Sequence, residues 1–371
     1  MELIRDTLLL IFAGVTVLQI LIWALFPMRF VRARIPARPR ARCEAVSVVI
    51  CARNEAERLT SLLPSVLQQH YEGEWEVWVV NDASTDHTAA VLDDLARQFP
   101  RLNVLHLSEK PFPGKKYALE QGIKAARYNW IAVTDADCQP ATPHWLSGMG
   151  PLPQPGIVLG YAPLWADSNS LLNRWARYET LYTALQYCST THAGYPFMGV
   201  GRNMLWHRSF FDAAGGFGQH RHIPGGDDDL FVNHAANGAT TFLSILPETY
   251  MYSAAPPRWG DWLRQKRRHI RAGKAYKTWH TLVLGGVAFT HAVHYGVGAI
   301  LLLVFPSVWM YILAGYIARM LWVWPVMCRA AGRFKEPGLC AAVPLLDGVM
   351  ALWLGAAAPF FLLLREEAKW K

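Results

Sequence analysis

The run Trp130-Ile131-Ala132-Val133-Thr134-Asp135-Ala136-Asp137 ends an apolar stretch in two carboxylates one residue apart. Carboxylates are hard oxygen ligands, and Mg²⁺ and Mn²⁺ favour such ligands together with water and substrate phosphates. Asp135 and Asp137 are therefore candidate metal ligands for a phosphorylated, nucleotide-linked compound. Asp also terminates strands as a turn former or helix cap, and the pair taken alone fits that role equally well.

Further constellations supply complementary chemistry. Asn81-Asp82-Ala83-Ser84-Thr85-Asp86 closes a second apolar run. Asp82, an acceptor-only group at a strand edge, suits a nucleobase or ribose, whereas Ser84, Thr85 and Asp86 read more simply as helix-capping residues. Pro113-Gly114-Lys115-Lys116 opens a helix whose amino end and lysines can meet an anion, with surface solvation an equal explanation for one of the lysines. The P-loop pattern is not present there, so ATP hydrolysis has no support. Gly225-Gly226-Asp227-Asp228-Asp229 gathers three carboxylates whose mutual repulsion raises at least one pKa towards that of a general base, unless they only enrich a helix amino end. Between Trp259 and Tyr276, Trp262 is followed by Lys266, Arg267, Arg268 and Arg271, and arginine and tryptophan together suit both pyrophosphate and lipid headgroups.

These residues need a scaffold. Val46 to Ile50, Trp75 to Val80, Asn103 to Leu107 and Trp130 to Thr134 read as strands. Glu55 to Gln68, His87 to Gln98 and Lys115 to Tyr128 read as the helices between them, an alternation that predicts a largely parallel α/β sheet. In such sheets ligands gather beyond the carboxyl ends of the strands, where the acidic pairs fall. The amphipathic stripe of Leu171 to Tyr187 reads as core packing, or else as a helix lying on a bilayer.

Outside this region the chain is apolar. Leu8 to Phe26 is free of formal charge and long enough to span a bilayer, and Leu282 to Phe305, Pro306 to Met327 and Val343 to Leu364 are also long enough to do so. Six arginines between Arg29 and Arg42 follow the first span, which argues against a cleaved signal peptide and for a retained anchor with its carboxyl side in the cytoplasm. Arg329, Arg333 and Lys335 put the loop before the last span on the same side. The net charge of +8 thus reflects topology and anionic lipid, and no nucleic-acid partner is expected. Arg319 and Asp347 fall inside spans, where ionisable groups face other helices or a polar cavity, unless Arg319 snorkels or a span boundary is misplaced. The six cysteines show no Cys-x-x-Cys spacing, which predicts neither zinc nor a disulfide scaffold and fits a reducing compartment.

Taken in order, seven segments across roughly residues 46 to 276 resemble the membrane-bound family 2 glycosyltransferases, inverting enzymes with a GT-A fold. Ser47 to Glu55 resembles the family's first strand and loop, Val79 to Asp86 its second, and Gly114-Lys115 its basic turn. Asp135-Ala136-Asp137 resembles the metal motif, Gly199-Val200-Gly201-Arg202-Asn203 the acceptor-side glycine loop, and Asp227-Asp228-Asp229-Leu230 the catalytic-base motif. Gln265-Lys266-Arg267-Arg268-His269 resembles the Gln-x-x-Arg-Trp diphosphate segment, with His269 in place of Trp.

The resemblance implies Asp227 or Asp228 as the base, with Asp227 favoured. It implies Ala52, Asn54, Glu55, Asp82, Lys115, Asp135, Asp137, Gln265 and Arg268 on the donor, and Gly199, Gly201 and Asn203 beside the acceptor. Asp135 and Asp137 would hold Mg²⁺ or Mn²⁺. The implied reaction is hexosyl transfer from a nucleotide sugar, taken as UDP-linked, to a membrane lipid or otherwise apolar acceptor. A processive polysaccharide synthase and a GT-A-like nucleotidyltransferase are the alternatives.

The expected organisation is a transmembrane anchor over 1–30, a basic linker over 31–45, a GT-A domain over 46–258, an interfacial segment over 259–280 and about three transmembrane helices over 281–371. The expected setting is a bacterial inner membrane with the catalytic domain in the cytoplasm.

Overall fold

A computed structural model describes residues 1–34, 44–112, 114–223, 225–357 and 359–360. Most of the basic linker, Pro113 and the end of the last apolar segment, 361–364, lie outside the described residues. The described chain divides into two compact units: one takes residues 44–173 and 190–276, the other 1–34, 174–189 and 277–360. Residues 174–189 thus group with the apolar helices, whereas the sequence-based division kept them in the catalytic domain.

In the first unit, nine strands form among the described residues: β1 Val46–Ala52, β2 Trp75–Asp82, β3 Leu102–Leu107, β4 Trp130–Asp135, β5 Cys138–Pro140, β6 Ile157–Gly160, β7 Met204–His207, β8 Thr241–Ser244 and β9 Met251–Ser253. Seven make one sheet in the order β3-β2-β1-β4-β7-β6-β8, and β5 pairs with β9. β1 is buried almost throughout, as the near-continuous apolar run of an inner parallel strand requires. Leu59, Leu63 and Leu92, from the helices Ala56–Leu67 and Thr88–Gln98, pack with Val48, Val77 and Ala132 in one core. Leu119 and Ile123 of the helix Lys116–Ala125 pack with Val49, Ile131 and Val133 in a second.

The largely parallel expectation holds for β3-β2-β1-β4 and for the β6-β8 pair, and the strand that departs from it is β7, which runs antiparallel to both β4 and β6. The reason is the chain's point of entry. Met204 lies opposite Val133, so β7 begins from the glycine turn 199–203 at the same edge where β4 ends, and must run backwards. That reversal brings the glycine turn beside Asp135. In the parallel half, Cys51 stands opposite both Val80 and Asp135, so the carboxyl ends of β1, β2 and β4 open on a common edge.

Among the described residues of the second unit, four helical stretches are long and apolar enough to cross a membrane: Glu2–Arg32, Thr278–Val304, Pro306–Arg333 and Pro337–Ala357. Close approach is possible where side chains are small: a Cβ on Gly315 would clash with the Phe12 ring. Arg319 and Asp347 are both fully buried and form an ion pair. The Tyr295 hydroxyl donates to Asp347 Oδ2 at 2.7 Å, and Gln19 Oε1 accepts from Arg319 at 3.3 to 3.4 Å. The interior reading of Arg319 and Asp347 therefore holds, with helices that are remote in sequence supplying the partners.

The Leu171–His192 stripe is core, not a surface helix: Tyr182 packs against Trp23 and His291, and Arg177 pairs with Glu336. One cysteine expectation is overturned. Cys328 and Cys340 form a disulfide with Cα atoms 4.7 Å apart, because the turn after Arg333 folds residue 340 back on the preceding helix, a proximity that spacing along the chain does not reveal.

Candidate active site

β1 and β2 end in loops that hold one another. Asn54 adopts a positive φ of 56°, and its Oδ1 accepts from Thr85 N at 2.8 Å while Ser84 Oγ accepts from Asn54 N at 3.0 Å. Ser84 and Thr85 are thus spent on Asn54 rather than on capping. Asp86, one residue before the N-cap His87, accepts from Thr88 N at 3.0 Å. Asp82 is buried and pairs with Lys110, while its Oδ1 has no hydrogen-bond partner among the described residues. A buried carboxylate oxygen without a partner at a strand edge is a vacancy for a donor group on a ligand. Ala52 is buried at the end of β1 opposite Asn81, and Glu55, half-buried, bonds Arg58 at 2.8 Å. Burial raises the Glu55 pKa, with Asp137 and Asp135 adding to the effect.

The centre forms where β4 ends. Lys115, the residue before the helix Lys116–Ala125, directs Nζ to Asp135 Oδ1 at 2.7 Å and to Asp227 Oδ2 at 2.9 Å. Burial opposes the lysine's charge, but the two carboxylates outweigh it and hold its pKa well above the ordinary value. Asp135 shows the reciprocal effect: burial raises its pKa, and Lys115 more than offsets this to leave it lowered. Asp137, less compensated, is pushed up by burial and then by the charge of Asp135.

The residues present fit a divalent cation. Ligand atoms of Asp135, Asp137 and Cys138 lie within 4.8 Å of one another, and the two crowded carboxylates are the hard pair that Mg²⁺ or Mn²⁺ takes. Neither lysine of the basic turn is a solvated surface group. Lys116 is buried and donates to the carbonyls of His220 and Ile223 at 2.6 and 3.1 Å, anchoring the segment that leads to the acidic loop.

The acidic loop is shaped by two glycines with positive φ, Gly225 at 84° and Gly226 at 74°. A Cβ on Gly225 would lie 3.0 Å from Arg268 Cγ, so the arginine stem of the helix Trp259–Gly273 lies directly on the loop. Gln265 is on the same helix three residues earlier. The three aspartates then diverge. Asp227 meets Lys115. Asp228 Oδ2 accepts from Gly201 N at 2.7 Å, and burial followed by the charge of Asp227 raises its pKa. Asp229 Oδ2 accepts from the Tyr276 hydroxyl at 2.8 Å, and burial with Asp228 pushes its pKa up to about 7.

In the glycine turn, Gly199 and Gly201 are tightly packed, a Cβ on Gly201 lying 3.1 Å from Asp228. Asn203, expected beside an acceptor, turns into the scaffold. It is fully buried, accepts from Trp145 Nε1 at 2.9 Å and donates to the carbonyls of Tyr161 and Thr249 at 2.7 and 2.8 Å, so its amide is consumed in the scaffold. Sequence reasoning singled out neither Arg202 nor Tyr276. Arg202 is anchored on Ser253 and on the Ala162 carbonyl, and its charge bears on both Asp135 and Asp137. Its place between Gly201 and Asn203 was the available signal. For Tyr276 no local signal existed.

A mixed α/β sheet with an acidic, cation-bridged edge beyond β1, β2 and β4 defines a GT-A type of protein. The same fold is seen in the mannosyltransferase PcManGT from Pyrobaculum calidifontis, solved in complex with GDP-Man and Mn²⁺; it is 18% identical, with a TM-score of 0.62 over 94% of this chain and 99% of that one. The family model described as Glycosyl transferase family 2 matches residues 47–208, and that described as Glycosyl transferase family group 2 matches residues 130–334, more than half of the chain. The chain belongs to the family 2 glycosyltransferases.

Curated relatives include a beta-monoglucosyldiacylglycerol synthase of Nostoc sp. strain PCC 7120, 37% identical over 98 residues, which cover 26% of this chain and 21% of that one. A 4,4'-diaponeurosporenoate glycosyltransferase of Staphylococcus aureus strain MRSA252 is 38% identical over 96 residues, 25% of this chain and 24% of that one. The chain thus spans about a fifth to a quarter of the length of these relatives.

Proposed function

We propose that this protein is a metal-dependent, inverting glycosyltransferase that moves a hexosyl group from a nucleotide sugar, UDP-linked in our reading, to the hydroxyl or phosphate of a membrane lipid. The observation that carries the reading is the meeting of Asp135 and Asp227, residues from different segments, on a single lysine at the carboxyl edge of the sheet. One partner suits the sugar donor and the other an acceptor, so their juxtaposition supports transfer between two substrates.

A Mg²⁺ or Mn²⁺ ion held by Asp135 and Asp137 would neutralise charge developing on the leaving diphosphate. Arg268, with Gln265 on the same helix, would hold that diphosphate through charge-assisted hydrogen bonds. Asp82, with one carboxylate oxygen lacking a partner, would accept from the nucleoside, in a crevice bounded by Ala52, Asn54 and Glu55. Asp227 would take the proton of the acceptor hydroxyl as it attacks the anomeric carbon from the face opposite the leaving group. Asp228 is committed to Gly201 N, which supports a loop-holding role for it and favours Asp227 as the base. The apolar helices, read as membrane spans, and relatives named for a diacylglycerol lipid and a diaponeurosporenoate support an apolar acceptor.

The test uses the full chain in bilayer nanodiscs, a panel of radiolabelled sugar nucleotides and a bacterial lipid extract, with and without a chelator. A single-sugar lipid formed only with divalent metal, and not by Asp227→Asn, is the expected result. Release of pyrophosphate, or of a long polymer, overturns the reading.

A further inference from the structure

We propose that Lys115 is an interlock: its ammonium group occupies carboxylate oxygens needed on the donor side by a divalent cation and on the acceptor side by a proton, and a cation arriving at Asp135 releases both. The inference rests on the functional reading above and adds an order of events to it.

The geometry is specific. Lys115 Nζ is 2.7 Å from Asp135 Oδ1 and 2.9 Å from Asp227 Oδ2, so one cation neutralises two carboxylates to which the reaction gives different tasks. A carboxylate oxygen that accepts from an ammonium group is less free to take a proton, and an oxygen so engaged is a poorer metal ligand. While Lys115 holds both, Asp227 Oδ2 is engaged by the ammonium group before a donor is present.

The lysine can also let go. Its backbone is fixed, because the Lys115 carbonyl accepts from Leu119 N at 2.9 Å in the first turn of the helix Lys116–Ala125. Its head sits on a flexible four-carbon stem and can change partner without moving that backbone. Charge favours the exchange. Asp135, Asp137, Asp227 and Asp228 crowd one centre, and a doubly charged ion on Asp135 and Asp137 both satisfies more of them and repels the ammonium group. Lys116 differs in kind: its Nζ is held by two backbone carbonyls, so it anchors the loop and takes no part in the exchange.

The test reads the cation alone. Full-length protein in nanodiscs, without nucleotide sugar or acceptor, is titrated with Mn²⁺, and the free ion is measured by its paramagnetic resonance signal. Lys115→Met is expected to bind Mn²⁺ at least about tenfold more tightly than wild type, with Lys115→Arg close to wild type. Equal or weaker binding by Lys115→Met overturns the interlock.

A second measurement needs no variant and covers the case in which Lys115→Met does not fold. Acylation of Lys115 in the wild type by a water-soluble amine reagent, followed by peptide mass spectrometry, should rise on adding Mn²⁺. Unchanged labelling overturns the proposal. Failure of the wider functional reading would show differently, as the absence of sugar transfer with any donor, while both cation measurements stand.

Discussion

The Tyr276 hydroxyl donates to Asp229 Oδ2 across 2.8 Å, joining the turn after the helix Trp259–Gly273 to the acidic loop. Asp229 begins the helix Asp229–Ala235 and also accepts from Leu230 N at 2.8 Å, so this one carboxylate sets how the loop leaves for that helix.

Tyr276→Phe removes the donor and leaves a buried acceptor. The expected cost is about 1–2 kcal/mol of stability in the catalytic unit, with a fall in kcat and little change in the KM for the sugar nucleotide. Thermal unfolding and steady-state kinetics check both parts. An unchanged melting temperature counts against the contact.

Asp229 also predicts a pH dependence. Its pKa of about 7 in the folded chain is above the ordinary 3.8, so the folded state binds a proton that the unfolded chain has released. The associated stabilisation is full below pH 3.8 and is lost as pH rises through about 7. The melting temperature should therefore fall between pH 5 and 8, and Asp229→Asn, which cannot ionise, should flatten that fall.

Asp227→Asn and Asp137→Ala should separate two roles. Replacing Asp227, the proposed base, is expected to lower kcat by about 10²–10⁴-fold while Mn²⁺ binding persists. Mn²⁺ is expected to raise the melting temperature of the wild type, and Asp137→Ala should abolish that rise. Loss of metal binding in both variants to the same degree would place Asp227 among the metal ligands instead.

Gly201→Ala puts a Cβ 3.1 Å from Asp228 and crowds the residue that receives the Gly201 N–H. The expected result is a loss of kcat without loss of the fold, because the neighbour must shift by a few tenths of an ångström. Circular dichroism beside the transfer assay distinguishes this from unfolding.

In the helical unit, Asp347→Ala leaves Arg319 buried without its counter-ion, at an expected cost of about 3–5 kcal/mol. Replacing both, as Arg319→Met with Asp347→Leu, should recover most of that loss. Unfolding in detergent, followed by tryptophan fluorescence, measures each. A single variant as stable as wild type would show that the pair is not structural.

Much of the scaffold was legible along the chain because strands, helices and long apolar runs are written in local periodicity. The strands from Val46 to Asp135, the helices between them and the four apolar stretches all fall close to where the pattern puts them. The acidic pair at the end of β4 and the aspartates after Gly226 were legible too, since a carboxylate that ends an apolar run marks a strand edge or loop. What packing alone supplied are relations between residues far apart in sequence: Lys115 between Asp135 and Asp227, Asn203 turned into the core, Tyr276 on Asp229, Cys328 bonded to Cys340. Residue type says what each group can bond. Which group it meets depends on where β7 reverses and how distant segments fold back, and neither leaves a periodic trace in the chain.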